Sequence, residues 1–226
     1  MSATRTSGGT AAGPVPDAQG VRISILDYGM GNLRSVEKAL ERVGARAEIT
    51  PDAERAADAD GVILPGVGAF PRAVTRVREL GQDELVRSRV AEGRPVLGIC
   101  LGVQLLFDSS AENEGDVGLA LLPGVVCPVE AGDHKIPHIG WSPVSWRHES
   151  RLTEGIPDET PFYFVHSFVP RPADEGDVLG TAAYGERFAG AVERGTLYGA
   201  QFHPEKSSAA GLRLLANFAR ICRGVE

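Results

Sequence analysis

The sequence predicts an α/β fold, an open and mostly parallel sheet covered by helices on both faces, with additional antiparallel strands in the C-terminal half. Three observations predict it. Between Val21 and Ser109, strand-like and helix-like runs take turns with short connections, the alternation that builds a parallel sheet. The strand-like runs "GVILP" and "RPVLGIC" are apolar throughout, as strands covered on both faces are. After about Gly115 the chain changes to short strand-like runs separated by Gly and Pro, the signature of antiparallel ribbons.

The elements follow in order. "MSATRTSGGTAAGPVPDAQG" has almost no large apolar side chain to offset the entropy of ordering, so Met1 to about Gly20 reads as a flexible tail ahead of one domain, residues 21–226. "RISILD" is a strand, and "NLRSVEKALERVG" an amphipathic helix ending at Gly44, with Leu33, Val36, Leu40 and Val43 on one face. "GVILP" is a buried strand, "AFPRAVTRVREL" and "DELVRSRVAEG" are helices, and "RPVLGIC" is a strand before the helix "LGVQLLFDS". The runs "VVCPVE", "WSPVSW", "PFYFVHSFV", "VLGTAAY", "AGAVERG" and "LYGAQF" read as ribbons laid on the sheet. The last helix, "SSAAGLRLLANFARIC", takes Ser207 or Ser208 as N-cap and turns Leu214, Leu215, Phe218 and Ile221 inward.

Composition narrows the chemistry by exclusion. With 226 residues, 42% of them hydrophobic, a sizeable core is available. The 3 cysteines, Cys100, Cys127 and Cys222, are an odd number without repeating spacing, which makes neither a disulfide framework nor a zinc knuckle and fits a reducing cytoplasm. No run approaches the ~20 apolar residues of a membrane span, and no signal-peptide core is visible near Met1. A formal charge of -7 argues against a general nucleic-acid binder. His134, His138 and His148 share no metal-ligand spacing with the cysteines, so no metal is expected.

One cysteine sits where chemistry is done. "GICLG" has the form G-x-C-x-G, the thiol counterpart of the G-x-S-x-G nucleophile elbow, in which a strand turns sharply into a helix. Gly98 and Gly102 lie two residues either side of Cys100, where a side chain would crowd the turn, and the helix dipole favours thiolate. The alternative is a small buried core residue. A thiolate attacking a carbonyl needs an acid for the leaving group, and His203 stands at the end of the strand "TLYGAQF" with Glu205 two residues on. In extended backbone those two residues project to one side, so Glu205 can hold one imidazole nitrogen while the other faces Cys100. His166, amid the aromatics of "FYFVHSF", reads as a core or wall residue. A second glycine corner, "VILPGVGAF", offers the Gly66–Val67 peptide as oxyanion donor beside the Leu101 N–H; alone it would be an ordinary βα turn.

Together, "GICLGVQLLF" and "QFHPEKS" resemble the class I (triad) glutamine amidotransferases, a flavodoxin-like family whose Cys-His-Glu site hydrolyses glutamine. "DYGMGNLRSV", "ILPGVGAF", "KIPHIGW" and "FYFVHSF" resemble more narrowly the glutaminase subunits of imidazole glycerol phosphate synthases, in matching order from Ile23 to the C-terminus. The resemblance implies Cys100 as nucleophile, His203 as general acid/base, Glu205 as its orienter, and Val67 and Leu101 as oxyanion donors. It implies that Gly66, Gly68, Gln104, Ser167 and Phe168 contact glutamine, with the Val67 N–H turning inward to complete the oxyanion hole. It implies that Asn32, Trp141, Tyr163 and Lys206 face a (β/α)8 cyclase subunit, and it implies no cofactor. Val103 stands where methionine is more usual, and the leading tail is extra. Anthranilate and aminodeoxychorismate synthase glutaminases more often show "GHQ" after the elbow and lack "KIPHIGW"; a noncatalytic protein on the same fold is the remaining alternative.

Overall fold

A computed structural model describes residues 18–112 and 116–224. Its elements are β1 (Arg22–Leu26), α1 (Leu33–Arg42), β2 (Arg46–Thr50), α2 (Ala53–Ala57), β3 (Gly61–Leu64), α3 (Phe70–Glu79), α4 (Gln82–Ala91), β4 (Val96–Ile99) and α5 (Leu101–Leu105). There follow β5 (Phe107–Ser110), β6 (Asp116–Val117), β7 (Leu122–Pro128), β8 (His138–Trp146), β9 (Thr160–His166), β10 (Phe168–Pro172), β11 (Val178–Tyr184), β12 (Glu186–Arg194), β13 (Leu197–Ala200) and α6 (Ser208–Arg223). The tail read over residues 1–20 falls mostly outside the described residues. At its end Ala18 is buried and its N–H donates to Val43 O at 3.1 Å.

Nine strands form one sheet in the order β2-β1-β3-β4-β13-β12-β11-β8-β9. The first five pair in parallel, and from β13 onward neighbours are antiparallel. Buried apolar side chains form a cluster on each face, one holding Val36, Leu40, Leu214 and Phe218 of α1 and α6, the other Phe70, Val74, Val77 and Val86 of α3 and α4. That is the doubly wound arrangement, in which ligands gather at the carboxyl ends of the parallel strands.

Three readings are corrected. The antiparallel strands do not lie on the sheet as ribbons: β12, β11, β8 and β9 extend it, and β10-β7-β5-β6 make a second, four-stranded sheet. "LYGAQF" is not a ribbon either, because β13 pairs in parallel with β4 through Tyr198↔Leu97 and Ala200↔Ile99. The helix after the elbow stops at Leu105, since Phe107 and its neighbours leave it to pair with β7 and bury Phe107 fully. Strand β2 and helix α2 carry no clear signal; β2, "RAEIT", is an edge strand whose charged residues face solvent. The apolar stripe of α6 is buried as expected, but Ser207 places no side-chain hydrogen bond on its N-terminus.

Candidate active site

Cys100 adopts φ 54 and ψ -111, a left-handed corner rarely taken by a residue with a Cβ and costing about 1–3 kcal/mol. The surroundings hold it there. Its N–H donates to Ala200 O at 2.7 Å, tying the elbow to the adjacent strand. A Cβ at Gly98 would lie 2.8 Å from Val103 N and Cα, and one at Gly102 would collide with the Leu64 carbonyl at the end of β3. The two glycines therefore serve different contacts: one lets the helix fold back on its own strand, the other lets the elbow abut the next.

His203 ends the segment after β13, and its backbone is pinned twice. His203 N–H donates to Tyr163 O at 2.9 Å, while the Ser207 hydroxyl donates to His203 O at 2.6 Å and accepts from Tyr163 N at 3.0 Å. This is where the Ser207 side chain goes instead of capping α6. Glu205 Oε1 lies 2.8 Å from His203 Nδ1, both side chains being almost fully buried. The pairing does not come from extended backbone, as i, i+2 spacing suggested; Pro204–Lys206 form a 3₁₀ turn that brings the carboxylate back. The other carboxylate oxygen, Oε2, is buried without a partner among the described residues. Burial alone would lower the His203 pKa; hydrogen bonding and charge from Cys100 and Glu205 outweigh it and raise it to about 9.

A cavity of about 280 Å³ opens over these groups, with Cys100, His203, Gln104, Gly68, Ser167 and Phe168 in its walls. A larger open cleft of 930 Å³ between residues 146 and 158 contains none of them. Gln104 Nε2 donates to Phe168 O at 3.0 Å and to Gln201 Oε1 at 2.9 Å, and Gln201 Nε2 lies 3.8 Å from Cys100 Sγ. The thiol also lies 3.7 Å from Val165 O. Gln201 and Glu112 were not singled out from the sequence. Gln201 could have been, as it lies two residues before His203 on the same strand end. Glu112 could not: its carboxylate accepts Phe70 N–H at 2.9 Å and lines the cavity from a distant loop.

At the second glycine corner the Leu101 N–H, expected from the sequence as an oxyanion donor, donates to Gly66 O at 3.3 Å, the carbonyl of the Gly66–Val67 peptide. Gly66 is not in a positive-φ conformation; Gly68 is, at 107. Gly66 is required by close approach, since a Cβ there would collide with the Tyr28 hydroxyl, which itself donates to Pro65 O at 2.5 Å.

Of the residues expected to face a partner, Asn32 and Lys206 are exposed and Tyr163 is half-buried. Lys206 also lines the cavity. Trp141 is 52% exposed and packs edge-on to Tyr163 across the β8–β9 pair. Ile136 at 55%, Ile139 at 60% and Val67 at 41% add exposed apolar surface that the sequence motifs did not flag. Among the described residues no cluster of three or more His, Cys, Asp or Glu is placed to hold a metal, and no helix is long and apolar enough to cross a membrane.

The class of protein is shown by its residues 24–222, which match the model of the glutamine amidotransferase class-I family. An imidazole glycerol phosphate synthase subunit HisH from Moorella thermoacetica is 50% identical over 201 residues, 89% of this chain and 95% of the relative. The HisH subunit from Aquifex aeolicus is 46% identical over 201 residues, covering 88% and 97%. The chain belongs to this family of imidazole glycerol phosphate synthase HisH subunits. Among solved structures, PurLQS from Thermotoga maritima superposes with TM-score 0.74 at 18% identity, over 89% of this chain and 98% of that one, a likeness of fold alone.

Proposed function

We propose that this chain hydrolyses glutamine to glutamate and ammonia and delivers the ammonia to a (β/α)8 cyclase subunit in histidine biosynthesis. The observation that carries the reading is the buried Cys100–His203–Glu205 arrangement, with Cys100 and His203 in the wall of a cavity of about 280 Å³. Glu205 accepts the hydrogen bond of His203 Nδ1–H, so Nε2 serves the thiol. The Cys100 thiolate attacks the carboxamide carbon, the oxyanion forms beside the Leu101 and Val67 N–H groups once the Gly66 carbonyl has turned away, and His203 passes its proton to the departing nitrogen. Ammonia leaves a thioester on Cys100. A water that gives its proton to His203 then cleaves the thioester, releasing glutamate and restoring the thiol. Glu112 supplies a carboxylate to the substrate's ammonium group, and Gln104, whose amide nitrogen is committed inward, offers its oxygen. Exposed Trp141, Ile139, Ile136 and Val67, with Asn32, Tyr163 and Lys206, form the face for the cyclase. Labelling by a diazoketone analogue of glutamine tests the site: modification confined to Cys100 supports it, and modification elsewhere overturns it. A pull-down from the source cell tests the partner. Recovery of a (β/α)8 cyclase supports the reading, and recovery of a chorismate-using enzyme overturns it.

Glu205→Gln keeps a hydrogen-bonding shape but removes the charge that stabilises imidazolium, so a loss of roughly 10²- to 10⁴-fold in kcat is expected. The combination with His203→Ala is expected to add nothing to His203→Ala alone. Losses that multiply as for independent sites would disprove a shared triad.

The raised His203 pKa sets the pH dependence. Its value of about 9 lies above 6.5, the ordinary histidine value, so its contribution to folding is complete below 6.5 and is lost as pH rises through 9. The same deprotonation removes the acid for ammonia departure. An alkaline limb near pH 9 is expected in kcat/KM, moving to lower pH in Glu205→Gln; a limb unmoved by that change would show that another group titrates.

A further inference from the structure

Strand β9, the last of the nine-stranded sheet, ends at His166, and β10, at the edge of the four-stranded sheet, begins at Phe168. The chain therefore changes sheets at Ser167, and this break forms part of the cavity wall. A chain of side chains holds it. His166 Nδ1 lies 3.0 Å from Phe168 O, His166 Nε2 lies 3.0 Å from His138 Nδ1, and His138 Nε2 lies 3.0 Å from Ser142 Oγ.

The proton positions follow from chemistry. A carbonyl oxygen only accepts, so His166 Nδ1 carries the proton. Burial, followed by the nearby His138, pushes His166 down to about 3, and burial, followed by the nearby His134, pushes His138 down to about 4, so both rings are neutral near pH 7. His166 Nε2 is then an acceptor, His138 Nδ1 must donate to it, and His138 Nε2 accepts from the Ser142 hydroxyl. His138 is itself fixed by stacking on Tyr184, with ring centroids 4.0 Å apart, and the Tyr184 hydroxyl donates to Lys135 O at 2.7 Å.

We propose that His138 is a positioning residue for glutamine: by donating to His166 it selects the tautomer whose Nδ1–H secures the Phe168 carbonyl, and so fixes the cavity wall at Ser167. The assignment rests on the function proposed above. Phe168 O also takes the Gln104 amide, so the same carbonyl sets the side chain beside Cys100. With no donor at position 138, only the Phe168 carbonyl still favours Nδ1–H, so the Nε2–H form, which turns a lone pair toward Phe168 O, gains population and loosens the wall. Cys100, His203 and Glu205 form no hydrogen bond with His138 itself, so binding is weakened while the chemical step survives. His138 lies on the buried side of β8, and Ile139 and Trp141 on its exposed side, so the wall is tied to the strand facing the cyclase.

The test uses the assembled pair with the cyclase, for His138→Leu, which removes the donor, and His138→Asn, which keeps one near the Nδ1 position. In His138→Leu the KM for glutamine is expected to rise about tenfold with kcat within about twofold, the signature of lost uniform binding. In His138→Asn KM returns to within about threefold of the parent, because a neutral donor to His166 is restored. Long-range ¹H–¹⁵N spectra read the His166 tautomer independently of substrate: Nδ1–H is expected in the parent and His138→Asn, and lost in His138→Leu. An unchanged tautomer in His138→Leu, a loss confined to kcat, or an equal KM defect in both variants would overturn the proposal. His138→Asn decides the case even where His138→Leu is destabilised. If the parent pair hydrolyses no glutamine, the proposed function falls and the kinetic role of His138 falls with it, an outcome distinct from an active parent with an unaffected variant.

Discussion

Replacing Cys100 with serine is expected to lower glutamine hydrolysis by at least about 10⁴-fold while the protein stays folded. Serine fits the same corner, because the strain at Cys100 belongs to its backbone and the contacts through Gly98 and Gly102 are unaltered. Its hydroxyl, unlike a thiol, supplies almost no anion near neutral pH, and His203, already committed to Glu205, has been matched to a thiolate rather than an alkoxide. Synthesis by the assembled pair from added ammonia is expected to persist, since that reaction bypasses this site. Measuring both activities on one preparation separates loss of chemistry from loss of assembly. Glutaminase activity near that of the parent would disprove the nucleophile assignment.

The chain alone is expected to hydrolyse glutamine several hundredfold more slowly than it does with a cyclase subunit and an analogue of that subunit's phosphorylated ribulose substrate. Leu101 N–H is occupied by Gly66 O at 3.3 Å, so a tetrahedral intermediate formed in this arrangement lacks donors worth about 3 to 4 kcal/mol. Rotating the Gly66–Val67 peptide withdraws that carbonyl and presents Val67 N–H, correcting both deficits in one motion. The motion is local. Tyr28 holds the preceding carbonyl, Pro65 O, at 2.5 Å, and Gly68 beyond it already has φ 107, where glycine moves freely. Val67 is 41% exposed beside the cavity, so a docked partner can bias the peptide directly, a population shift on a two-state element. Steady-state rates for the chain alone, with the cyclase, and with cyclase plus analogue check this. Equal rates for the lone chain and the liganded pair would rule out gating and leave the triad standing.

The Cys100 elbow was legible because its glycines are needed for close backbone approach, a demand only glycine meets, and His203 and Glu205 because they follow a strand end with a proline between them. The parallel half of the sheet was legible because buried strands and amphipathic helices leave different apolar periods. What the sequence by itself determined is thus local: most of the strands and helices, and the turn that sets a cysteine between two close-packed glycines. The tertiary structure alone decided which strands pair, so that β13 lies beside β4 and brings His203 to Cys100, and that β8 and β9 extend the main sheet instead of lying upon it. It alone brought Glu112 to the cavity and His138 to His166, and set the Gly66 carbonyl on Leu101 N–H. The physical reason is that periodicity and turn chemistry act over a few residues. Strand pairing, hydrogen-bond partners and the orientation of a peptide are set by contacts between segments distant in the chain, whose energies no single segment contains.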